Sequence, residues 1–464
     1  MLQAGIKLEQ ILEMINGKLL AKGKEHFINI STDSRTIKSG ELFIPLVGEN
    51  FNGHKFIDNT FSNGAEGVIV QKNENYNLIE NKTFIEVDNT LKAYQQIANF
   101  VRKKINPFVI GITGSSGKTS TKEIAYAFLS QFFETYKSEA NFNNEIGVPQ
   151  TLLQLREEHK IAIIEMGMRG KGQIEELALI AEPNVGIITG IGSAHIELLG
   201  SKKDIAEAKW ELAKYIENND GYIIIPAYDK YLLEMSKSFK NSDKLISVDL
   251  KENDNCVLTS EKSWIKDNKQ YFTYKDNQTN KTYEACLSVH GQHQISNALL
   301  VLSLAKILNI SYPDFIDLSF ENLSGRSEII KIKQANFIND AYNANPESMK
   351  ASIKTFIESS DKKKKILVIG EMKELGEHSY REHYEVGEFC SNLDFDQLIL
   401  IGQNTQAIKD GLKNNPEKIS KTILFDNNQQ ASEYLKKYLD SDIDILLKAS
   451  RGAKLEEIIS YLTN

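Results

Sequence analysis

The chain has 464 residues, 41% of them hydrophobic and 25% charged, which is an ordinary globular composition. This excludes a disordered chain, a collagen and a small disulfide-bonded scaffold, and the length suggests about three domains. With 55 Lys and Arg against 63 Asp and Glu, the formal net charge of -8 disfavours bulk binding of nucleic acid, which requires a basic surface. The three separated cysteines have no metal-binding spacing, and no apolar run reaches the roughly 18 residues of a membrane span. Since no signal peptide is recognisable either, we expect a cytoplasmic protein that does not insert into membranes.

Residues 1–105 are predicted to form a small N-terminal α/β domain. The first 20 residues have the pattern of an amphipathic helix, and EGVIV (66–70) is typical of a short buried strand. A helix is expected over 89–105. It should end there because the Asn-Pro pair that follows disfavours helix. A polar loop between two apolar runs of this domain carries Ser34 and Arg35.

Residues 106–312 are predicted to form a central domain with a phosphate-binding loop. Its apolar runs suit parallel strands that are buried on both faces, and helical stretches separate them. Strands that alternate with helices indicate a doubly wound, mostly parallel sheet. Residues 244–290 change to short β-like pieces, and GQHQISNALLVLSLAKILN then reads as one long helix. The predicted strands are 107–113, 161–167, 184–192 and 221–226.

Residues 313–464 are predicted to form a C-terminal, Rossmann-like α/β domain. The boundary is placed after Tyr312 because Pro313 interrupts regular structure. Strands are expected at NFINDAY and at three further apolar runs, and a helix is expected from about Lys454. The three runs are 365–372, 397–402 and 444–450.

The segment GITGSSGKTST (111–121) follows a predicted strand and opens a helix, which is the context of a phosphate loop. Gly114 and Gly117 allow a tight turn in which backbone N–H groups, including those of Ser115 and Ser116, converge on an anion. Lys118 would then reach the β- and γ-phosphates, and the hydroxyl of Thr119 would bind Mg²⁺. The alternative is a glycine-rich turn without a ligand. The loop favours a nucleotide and leaves adenine or guanine open.

Two polar residues follow the ends of neighbouring predicted strands. Glu165 ends IAIIE, at the edge where parallel sheets bind ligands, and beside a phosphate loop it is a candidate Mg²⁺ ligand. His195 in GIGSAHIELLG belongs to the same edge. A strand-end carboxylate in solvent and a structural histidine are the alternatives. For Lys209 in AEAKWEL, the pattern alone indicates a surface lysine.

Two Asn-rich loops and one arginine are further candidates. Asparagine offers donors and acceptors to polar ligands, but it is also common in turns, so both interpretations stay open. An arginine near a domain junction binds either a phosphate or a surface carboxylate. The residues are Asn141, Asn143 and Asn144 in NFNNEIGVP, Asp340 and Asn343 in NDAYNANPESM, and Arg326.

Taken together, these motifs resemble the Mur ligase family, the ATP-dependent amide-forming enzymes of peptidoglycan assembly. The resemblance covers nearly the whole chain. NFNNEIGVP, DAYNANPESM and GEMKELGEHS resemble the branch of the family that adds D-alanyl-D-alanine. The other matching segments are TGSSGKTS, IEMGMRGKGQI, ITGIGSAHIELLGS, AEAKWEL, HGQHQISNALL and SGRSE.

The resemblance implies a role for each matching residue. Lys118, Glu165, His195 and Lys209 are the expected catalytic residues. Thr119 and Glu165 would bind one Mg²⁺, and His195 and a carbamylated Lys209 would bind a second. The expected ATP contacts are Gly114, Ser115, Ser116, Gly117, Lys118, Thr119, Asn297, Arg326, Asp340 and Asn343. The expected substrate contacts are Asn141, Asn143 and Asn144 with the peptide, and Ser34 and Arg35 with the UDP group.

The implied reaction joins D-alanyl-D-alanine to UDP-N-acetylmuramoyl-tripeptide through an acyl phosphate and yields the pentapeptide precursor of peptidoglycan. The C-terminal domain is expected to close over ATP and to bind the incoming dipeptide, and the chain is expected to be a monomer. The alternatives are folylpolyglutamate synthase, a P-loop ATPase that acts as a switch, and a binding module without activity. Lysine and diaminopimelate both remain possible as the third residue of the peptide.

Overall fold

The computed structural model describes residues 5–321, 324–360, 362 and 364–463. Within them the chain forms three large sheets with helices packed against them, one sheet in each of the three predicted regions. We call these regions the N-terminal, central and C-terminal domains. No helix of the described residues is long and apolar enough to cross a membrane.

The N-terminal domain is built on a five-stranded sheet whose apolar residues, such as Phe43 and Phe84, are fully buried. In the order of the sheet, the strands are Lys18–Ala21, Thr83–Val87, Gly67–Gln71, Glu41–Phe43 and Asn29–Ser31. The helices are Leu8–Ile15, Ile57–Ser62 and Thr90–Ile105, with a 3₁₀ turn at Gly53–Phe56. Two short strand pairs complete the domain: Ile6–Lys7 with His26–Phe27, and Val47–Gly48 with Phe51–Asn52.

Two predictions about this domain can be compared with its helices. The predicted amphipathic helix is shorter than expected, because strands flank Leu8–Ile15 on both sides; residues 1–4 lie outside the described residues. The helix expected over 89–105 is present. The side chain of Asn89 accepts a hydrogen bond from the N–H of Lys92 at its start, and Asn106 ends it with a positive φ of 51°.

The central domain has a ten-stranded sheet whose first seven strands are all parallel. Two antiparallel strands follow, and the last strand is parallel to its neighbour. Val109 packs on one face of the sheet, and Ile110 and Ile112 pack on the other, so this strand is buried on both sides. The predicted doubly wound, mostly parallel sheet is confirmed.

The elements of the central domain, in structural order, are as follows. The strands are Thr135–Lys137, Ile161–Glu165, Phe108–Thr113, Val185–Ile188, Tyr222–Pro226, Leu245–Asp249, Leu258–Lys266, Lys269–Asp276, Lys281–Leu287 and Phe315–Asp317. The helices are Lys118–Leu129, Gly147–Leu153, Gln173–Ala181, Ile196–Leu199, Lys202–Asn218, Lys230–Ser236, Gln292–Leu302 and Leu304–Leu308.

Two details of the central domain differ from the expectation. The strand Phe315–Asp317 pairs with Lys281–Leu287, so the central sheet continues beyond residue 312, where the boundary was predicted. The proline at 313 breaks regular structure locally without ending the domain. The predicted long helix is two helices that meet at Ser303, whose hydroxyl donates a hydrogen bond to the Leu300 carbonyl.

The C-terminal domain has a six-stranded sheet that is parallel except for its first strand, which agrees with the Rossmann-like prediction. The strands are Glu328–Ile332, Ala335–Asn339, Ile443–Lys448, Lys364–Gly370, Gln397–Ile401 and Thr422–Phe425. The helices are Pro346–Ser359, Ser379–Cys390, Gln406–Gly411, Pro416–Ser420, Asn428–Leu435 and Glu456–Thr463.

Candidate active site

The predicted phosphate loop connects the strand Phe108–Thr113 to the helix Lys118–Leu129. Gly117 precedes the helix with a φ of +80°, and a Cβ atom there would lie 2.9 Å from Oδ1 of Asn297. Gly114 has a φ of +155°, and its Cβ atom would lie 1.8 Å from Oγ1 of Thr189. The loop therefore needs both glycines, and it leaves the positive end of a helix open to an anion.

The loop is held from the neighbouring strand and by its own lysine. The N–H of Ser115 donates to the Gly190 carbonyl at 3.0 Å, and Oγ1 of Thr189 donates to the Ser116 carbonyl at 2.5 Å. Nζ of Lys118 donates to the Gly114 carbonyl at 2.8 Å. Burial lowers the pKa of Lys118, whereas the negative charge of Glu165 acts in the opposite direction. Lys118 and Glu165 are thus close enough to interact.

Glu165 ends its strand with one oxygen hydrogen-bonded and the other in a long ion pair with Lys122. Its Oε1 accepts a hydrogen bond from Nδ2 of Asn143 at 2.8 Å, and its N–H donates to Oγ of Ser138 at 3.1 Å. Oε2 is buried and has no hydrogen-bond partner among the described residues, and Nζ of Lys122 is 3.8 Å away. A buried carboxylate oxygen without a donor is costly unless a cation binds it. Glu165 therefore fits a metal ligand better than a strand-end carboxylate in solvent.

Lys209 lies in the middle of the helix Lys202–Asn218 and is only 1% exposed. Its ammonium group forms no hydrogen bond or ion pair within the described part of the chain. Burial, with the positive charge of Lys118 nearby, lowers the pKa of Lys209 far below its ordinary value. The surface position that the pattern alone indicated is wrong, because Lys209 is one of the buried residues of this helix, whereas its acidic neighbours Glu207 and Glu211 are partly exposed.

His195 follows the strand Val185–Ile188 and has a positive φ of 66°. Its Nδ1 lies 2.6 Å from Oε2 of Glu374 in the C-terminal domain, within ion-pairing distance but without the angle of a regular hydrogen bond. The contact with His195 lowers the pKa of Glu374. His195 therefore lies where the central and C-terminal domains meet.

A cavity of about 910 Å³ separates the phosphate loop from the C-terminal domain. Its volume is typical of a small-molecule site. Five of the residues with expected roles line it: Ser116, Gly117, Asn297, Arg326 and Asp340. The guanidinium of Arg326 stacks on Tyr342, 4.1 Å from the ring centre, and its charge acts on Lys118. This position favours a phosphate contact for Arg326 over a surface ion pair.

Comparison with known proteins identifies the family. Models described as the Mur ligase family catalytic domain, the Mur ligase middle domain and the Mur ligase glutamate ligase domain match residues 26–102, 112–305 and 325–451. The chain belongs to the Mur ligase family. The segments that resembled this family in the sequence lie in the second and third of these matches.

Two relatives named UDP-N-acetylmuramoyl-tripeptide–D-alanyl-D-alanine ligase match nearly the whole chain. The protein of Bacillus subtilis (strain 168) is 34% identical over 464 residues, 98% of each chain. The protein of Synechocystis sp. (strain ATCC 27184 / PCC 6803 / Kazusa) is 36% identical over 438 residues, 94% of this chain and 91% of the relative. Both carry the name of the branch that adds D-alanyl-D-alanine.

Solved structures agree with this Mur ligase fold. A crystal structure of MurF from Acinetobacter baumannii superposes with a TM-score of 0.87 at 26% identity and covers 99% of each chain. MurF ligase from Thermotoga maritima in complex with ADP gives 0.80 at 26% identity, covering 94% of this chain and 96% of that one. Folylpolyglutamate synthase from T. maritima reaches 0.54 at 14% identity, which shows the fold alone.

In this Mur ligase the remaining residues that were predicted to contact ATP do not all lie at the cavity. Oδ2 of Asp340 forms an ion pair with Lys448 and accepts a hydrogen bond from Oγ of Ser352, both at 2.8 Å, and Oδ1 accepts from the N–H of Ser327 at 3.3 Å. The side chain of Asn343 is exposed and does not line the cavity; its backbone carbonyl accepts from Lys448. Thr119 is buried in the first turn of the phosphate-loop helix.

The predicted substrate residues are only partly near this site. Asn143 bonds to Glu165, whereas Oδ1 of Asn144 accepts from the N–H groups of Ile146 and Gly147, which is turn chemistry. Asn141 is exposed. Ser34 and Arg35 lie in the N-terminal domain away from the cavity, and the exposed Arg35 pairs with Asp33 at 2.7 Å. Their substrate roles stay predictions.

Sequence reasoning missed several residues at the site. His293 lines the cavity, and burial lowers its pKa to about 4. Lys122 is 1% exposed and contacts the Ala140 carbonyl at 3.1 Å as well as Glu165. Glu347 and Glu374 reach the central domain from the C-terminal domain. In the sequence, their importance was signalled only by the segments that carry them. These segments are HGQHQISNALL, GKTSTKE, DAYNANPESM and GEMKELGEHS.

Proposed function

We propose that this chain is an ATP-dependent ligase that joins D-alanyl-D-alanine to UDP-N-acetylmuramoyl-tripeptide. The observation that carries the proposal is the cavity of about 910 Å³ between the phosphate loop and the C-terminal domain, in a chain similar over nearly its full length to ligases of that name. Glu165 and Lys209 do not line this cavity, but each interacts electrostatically with Lys118 of the phosphate loop.

The chemistry explains why ATP is needed. An amine does not displace oxygen from a carboxylate, because oxide is a poor leaving group. Transfer of the γ-phosphoryl group to the terminal carboxylate of the tripeptide gives an acyl phosphate and ADP. The neutral amine of D-alanyl-D-alanine then attacks the carbonyl carbon, and phosphate leaves from a tetrahedral intermediate as the amide forms. The amine loses a proton in this step.

The protein contributes positioning, charge and the exclusion of water. The N–H groups of the phosphate loop and the Lys118 ammonium neutralise phosphate oxygens, and Lys118 must leave the Gly114 carbonyl to do so. Arg326, held against Tyr342, approaches from the other side of the cavity. Contacts of the C-terminal domain with the phosphate loop keep water from the acyl phosphate, which hydrolyses readily.

The resemblance implies two Mg²⁺ ions, and the environment of Glu165 supports the first. Oε2 of Glu165 lacks a donor and Thr119 begins the adjacent helix, so these two would hold the first ion. His195 and Lys209 would hold the second. When bound, the ions supply positive charge that neutralises the transferring phosphoryl group.

Lys209 suits carbamylation because its amine is buried and unpaired. Carbon dioxide reacts with the neutral amine, and the lowered pKa of Lys209 favours that form. Nitrogen bonds to carbon and releases a proton, which leaves an anionic oxygen ligand on a long arm. Such an oxygen is suited to a hard cation.

The remaining substrate assignments rest on the resemblance. Ser34 and Arg35 would contact the UDP group, and Asn141, Asn143 and Asn144 the peptide. Asp340 and Asn343 would approach ATP from the C-terminal domain. The chain would act in the cytoplasm as a monomer, with the C-terminal domain binding the dipeptide.

Measuring ADP formation with each substrate omitted in turn tests the function. We expect sustained ADP formation only when UDP-N-acetylmuramoyl-tripeptide and D-alanyl-D-alanine are both present, because the first accepts the phosphoryl group and the second completes turnover. The Lys118→Ala protein, prepared in the same way, measures contaminating ATPase. Equal ATP hydrolysis without either substrate would favour the switch, and turnover with a folate and glutamate would favour the folylpolyglutamate synthase alternative.

A further inference from the structure

The loop that ends in His195 is contacted by the C-terminal domain through acidic side chains. We call residues 190–195 the histidine loop. It begins after the strand Val185–Ile188, beside the phosphate loop, and Gly190 accepts the hydrogen bond from Ser115. The carboxylates of the C-terminal domain that contact it are those of Glu347, Glu374 and Glu382, and Asp229 of the central domain accepts from the N–H of Ile191 at 2.7 Å.

Glu347 forms the densest of these contacts. Its Oε2 accepts from the N–H of Ser193 at 2.9 Å, and its Oε1 accepts from Oγ of Ser193 at 3.2 Å and from Nζ of Lys202 at 2.7 Å. A Cβ atom on Gly192 would lie 2.6 Å from Oε2, so the loop backbone packs directly against this carboxylate. Oε1 of Glu382 is a second acceptor, 3.3 Å from the Ser193 hydroxyl. Glu347 therefore anchors the middle of the histidine loop.

Glu374 contacts the end of the loop. Its carboxylate lies 2.6 Å from Nδ1 of His195, and its carbonyl accepts from the N–H of Glu197 at 3.3 Å. His195 and Glu374 both have positive φ values, 66° and 61°. Such conformations are unfavourable for residues other than glycine and persist where the surroundings enforce them. His195 is thus held in place by the C-terminal domain, and Glu374 is held in place by the central domain.

A carboxylate beside Nδ1 favours the tautomer that carries its proton on Nδ1. Nε2 then keeps its lone pair and is the nitrogen available to a cation. Carboxylate–histidine pairs of this kind orient histidine ligands at many metal sites, where they fix the ring and its tautomer. Here the carboxylate comes from a different domain than the histidine, so His195 has this partner only while the two domains are in contact.

We propose that Glu374 and Glu347 are positioning residues through which contact of the C-terminal domain sets His195 for the second cation. This inference rests on the proposed role of His195 as a ligand. Glu347 also lines the cavity, but the proposed effect of the two glutamates does not require either to touch ATP, the peptide or the cation. Their effect is to make the second cation site complete only when the cavity is enclosed, so that phosphoryl transfer coincides with the exclusion of water.

The test counts bound cations instead of turnover. Mn²⁺ is titrated into the full chain with saturating ADP, and the affinities of the first and second ions are measured by electron paramagnetic resonance. We expect Glu374→Gln and Glu347→Gln to weaken the second ion about 10-fold or more, the usual effect of removing a partner of a metal ligand. The first ion and the thermal unfolding midpoint should stay as in the wild type. His195→Ala should lose the second ion.

Glu377→Gln is the matched control, because Glu377 lies on the same segment as Glu374 but its side chain is 90% exposed and, among the described residues, pairs only with His378, at 3.9 Å. If Glu374→Gln fails to fold, Glu347→Gln carries the test through Ser193. Wild-type affinity for the second ion in both glutamate variants, with that ion lost in His195→Ala, overturns the inference and leaves the proposed metal site standing. Two ions bound normally by His195→Ala would overturn both, while the substrate dependence of ADP formation still decides the ligase activity.

Discussion

At the scale of single residues, Lys209 is the most informative. A buried ammonium without a counter-ion is expensive, and the chain reduces that cost by favouring the neutral amine. A neutral, buried amine next to a phosphate loop is a nucleophile for carbon dioxide. Burial and a lowered pKa are thus the two properties that the proposed carbamylation of Lys209 requires.

We predict that Lys209→Ala is nearly inactive and partly rescued by short carboxylic acids, which can occupy the space and supply the missing oxygen ligand. ADP formation in the complete reaction is the measurement. Lys203→Ala is the control, since Lys203 is exposed on the same helix. Wild-type protein should also lose activity when bicarbonate is stripped at low pH and regain it on readdition, whereas Lys209→Ala should not respond. Near-normal turnover of Lys209→Ala would remove this residue from the metal site.

His293 gives a prediction of pH dependence. Its pKa is about 4 in the folded chain, because burial disfavours the charged ring, and about 6.5 when unfolded. Between these values the unfolded state binds more protons, so the contribution of His293 lowers the free energy of unfolding as the pH falls from 6.5 to 4. Above pH 6.5 and below pH 4 this contribution no longer changes.

Urea unfolding from pH 7 to pH 4 measures this contribution. The His293→Asn protein should lose less stability over the window than the wild type. His290→Asn, three residues away, is the control and should retain the wild-type slope. Parallel curves for the wild type and His293→Asn would show that the ring is not held neutral by the fold.

At the scale of elements, the phosphate loop depends on backbone conformation as well as on side chains. Gly117 adopts a left-handed backbone conformation at the start of the helix, and it lies close to the side chain of Asn297. We predict that Gly117→Ala destabilises the fold by about 1–2 kcal/mol, the cost of a left-handed conformation in a residue with a Cβ atom. ADP should bind at least 10-fold more weakly, because the amides that surround the phosphates are displaced.

Calorimetric titration of ADP and thermal unfolding check this prediction. Gly170→Ala is the matched control: it lies in the loop after the neighbouring strand Ile161–Glu165, and a Cβ atom there meets nothing within 4 Å. Unchanged ADP affinity in Gly117→Ala would mean that the loop does not bind the phosphates.

The elements that sequence reasoning predicted well are those with local signals. The apolar run at 108–113 is buried on both faces of the sheet, and the asparagine at 89 caps its helix in the predicted place. The loop at 114–117 follows from its glycines. Each of these features depends on residues that are close together in the chain.

The features that were missed depend on distant residues. The edge strand Phe315–Asp317 is three residues long, and only its partner about 30 residues earlier makes it a strand. The burial of Lys209 follows from the packing of its helix on several sides, although its acidic neighbours resemble a solvent face. The partner of His195 lies in another domain. No local pattern contains this information, and for Lys209 only the family resemblance indicated a role.

At the scale of the whole molecule, the site is assembled from two domains. In the proposed site the central domain supplies the phosphate loop, Glu165, His195 and Lys209, and the C-terminal domain lies across the cavity and contacts the central domain through Glu347 and Glu374. ATP must enter between these two domains, so the binding of ATP is linked to the contact between the domains. Each interdomain hydrogen bond that forms in the closed arrangement therefore adds to the apparent affinity for the nucleotide.

Asn345 allows this linkage to be tested with one substitution. Its Nδ2 donates to the Ser115 carbonyl of the phosphate loop at 3.1 Å, and its Oδ1 accepts from the N–H of Ser348 and so caps the helix Pro346–Ser359. Serine is an equally good cap but too short to reach the phosphate loop. We predict that Asn345→Ser keeps the thermal stability of the C-terminal domain while losing the interdomain bond, which is worth about 1 kcal/mol. The KM for ATP should rise about fivefold.

Asn345→Ala is the companion variant, because it loses the bond and the cap together and should therefore lose about 1 kcal/mol of stability in addition. Steady-state kinetics at saturating peptide substrates and thermal unfolding separate the two effects. If Asn345→Ser had the wild-type KM for ATP, the contact between this segment and the phosphate loop would not contribute to nucleotide binding. If instead both variants lost stability equally and both kept the wild-type KM, the side chain would act on its own helix alone, and closure would have to depend on the glutamates that contact the histidine loop.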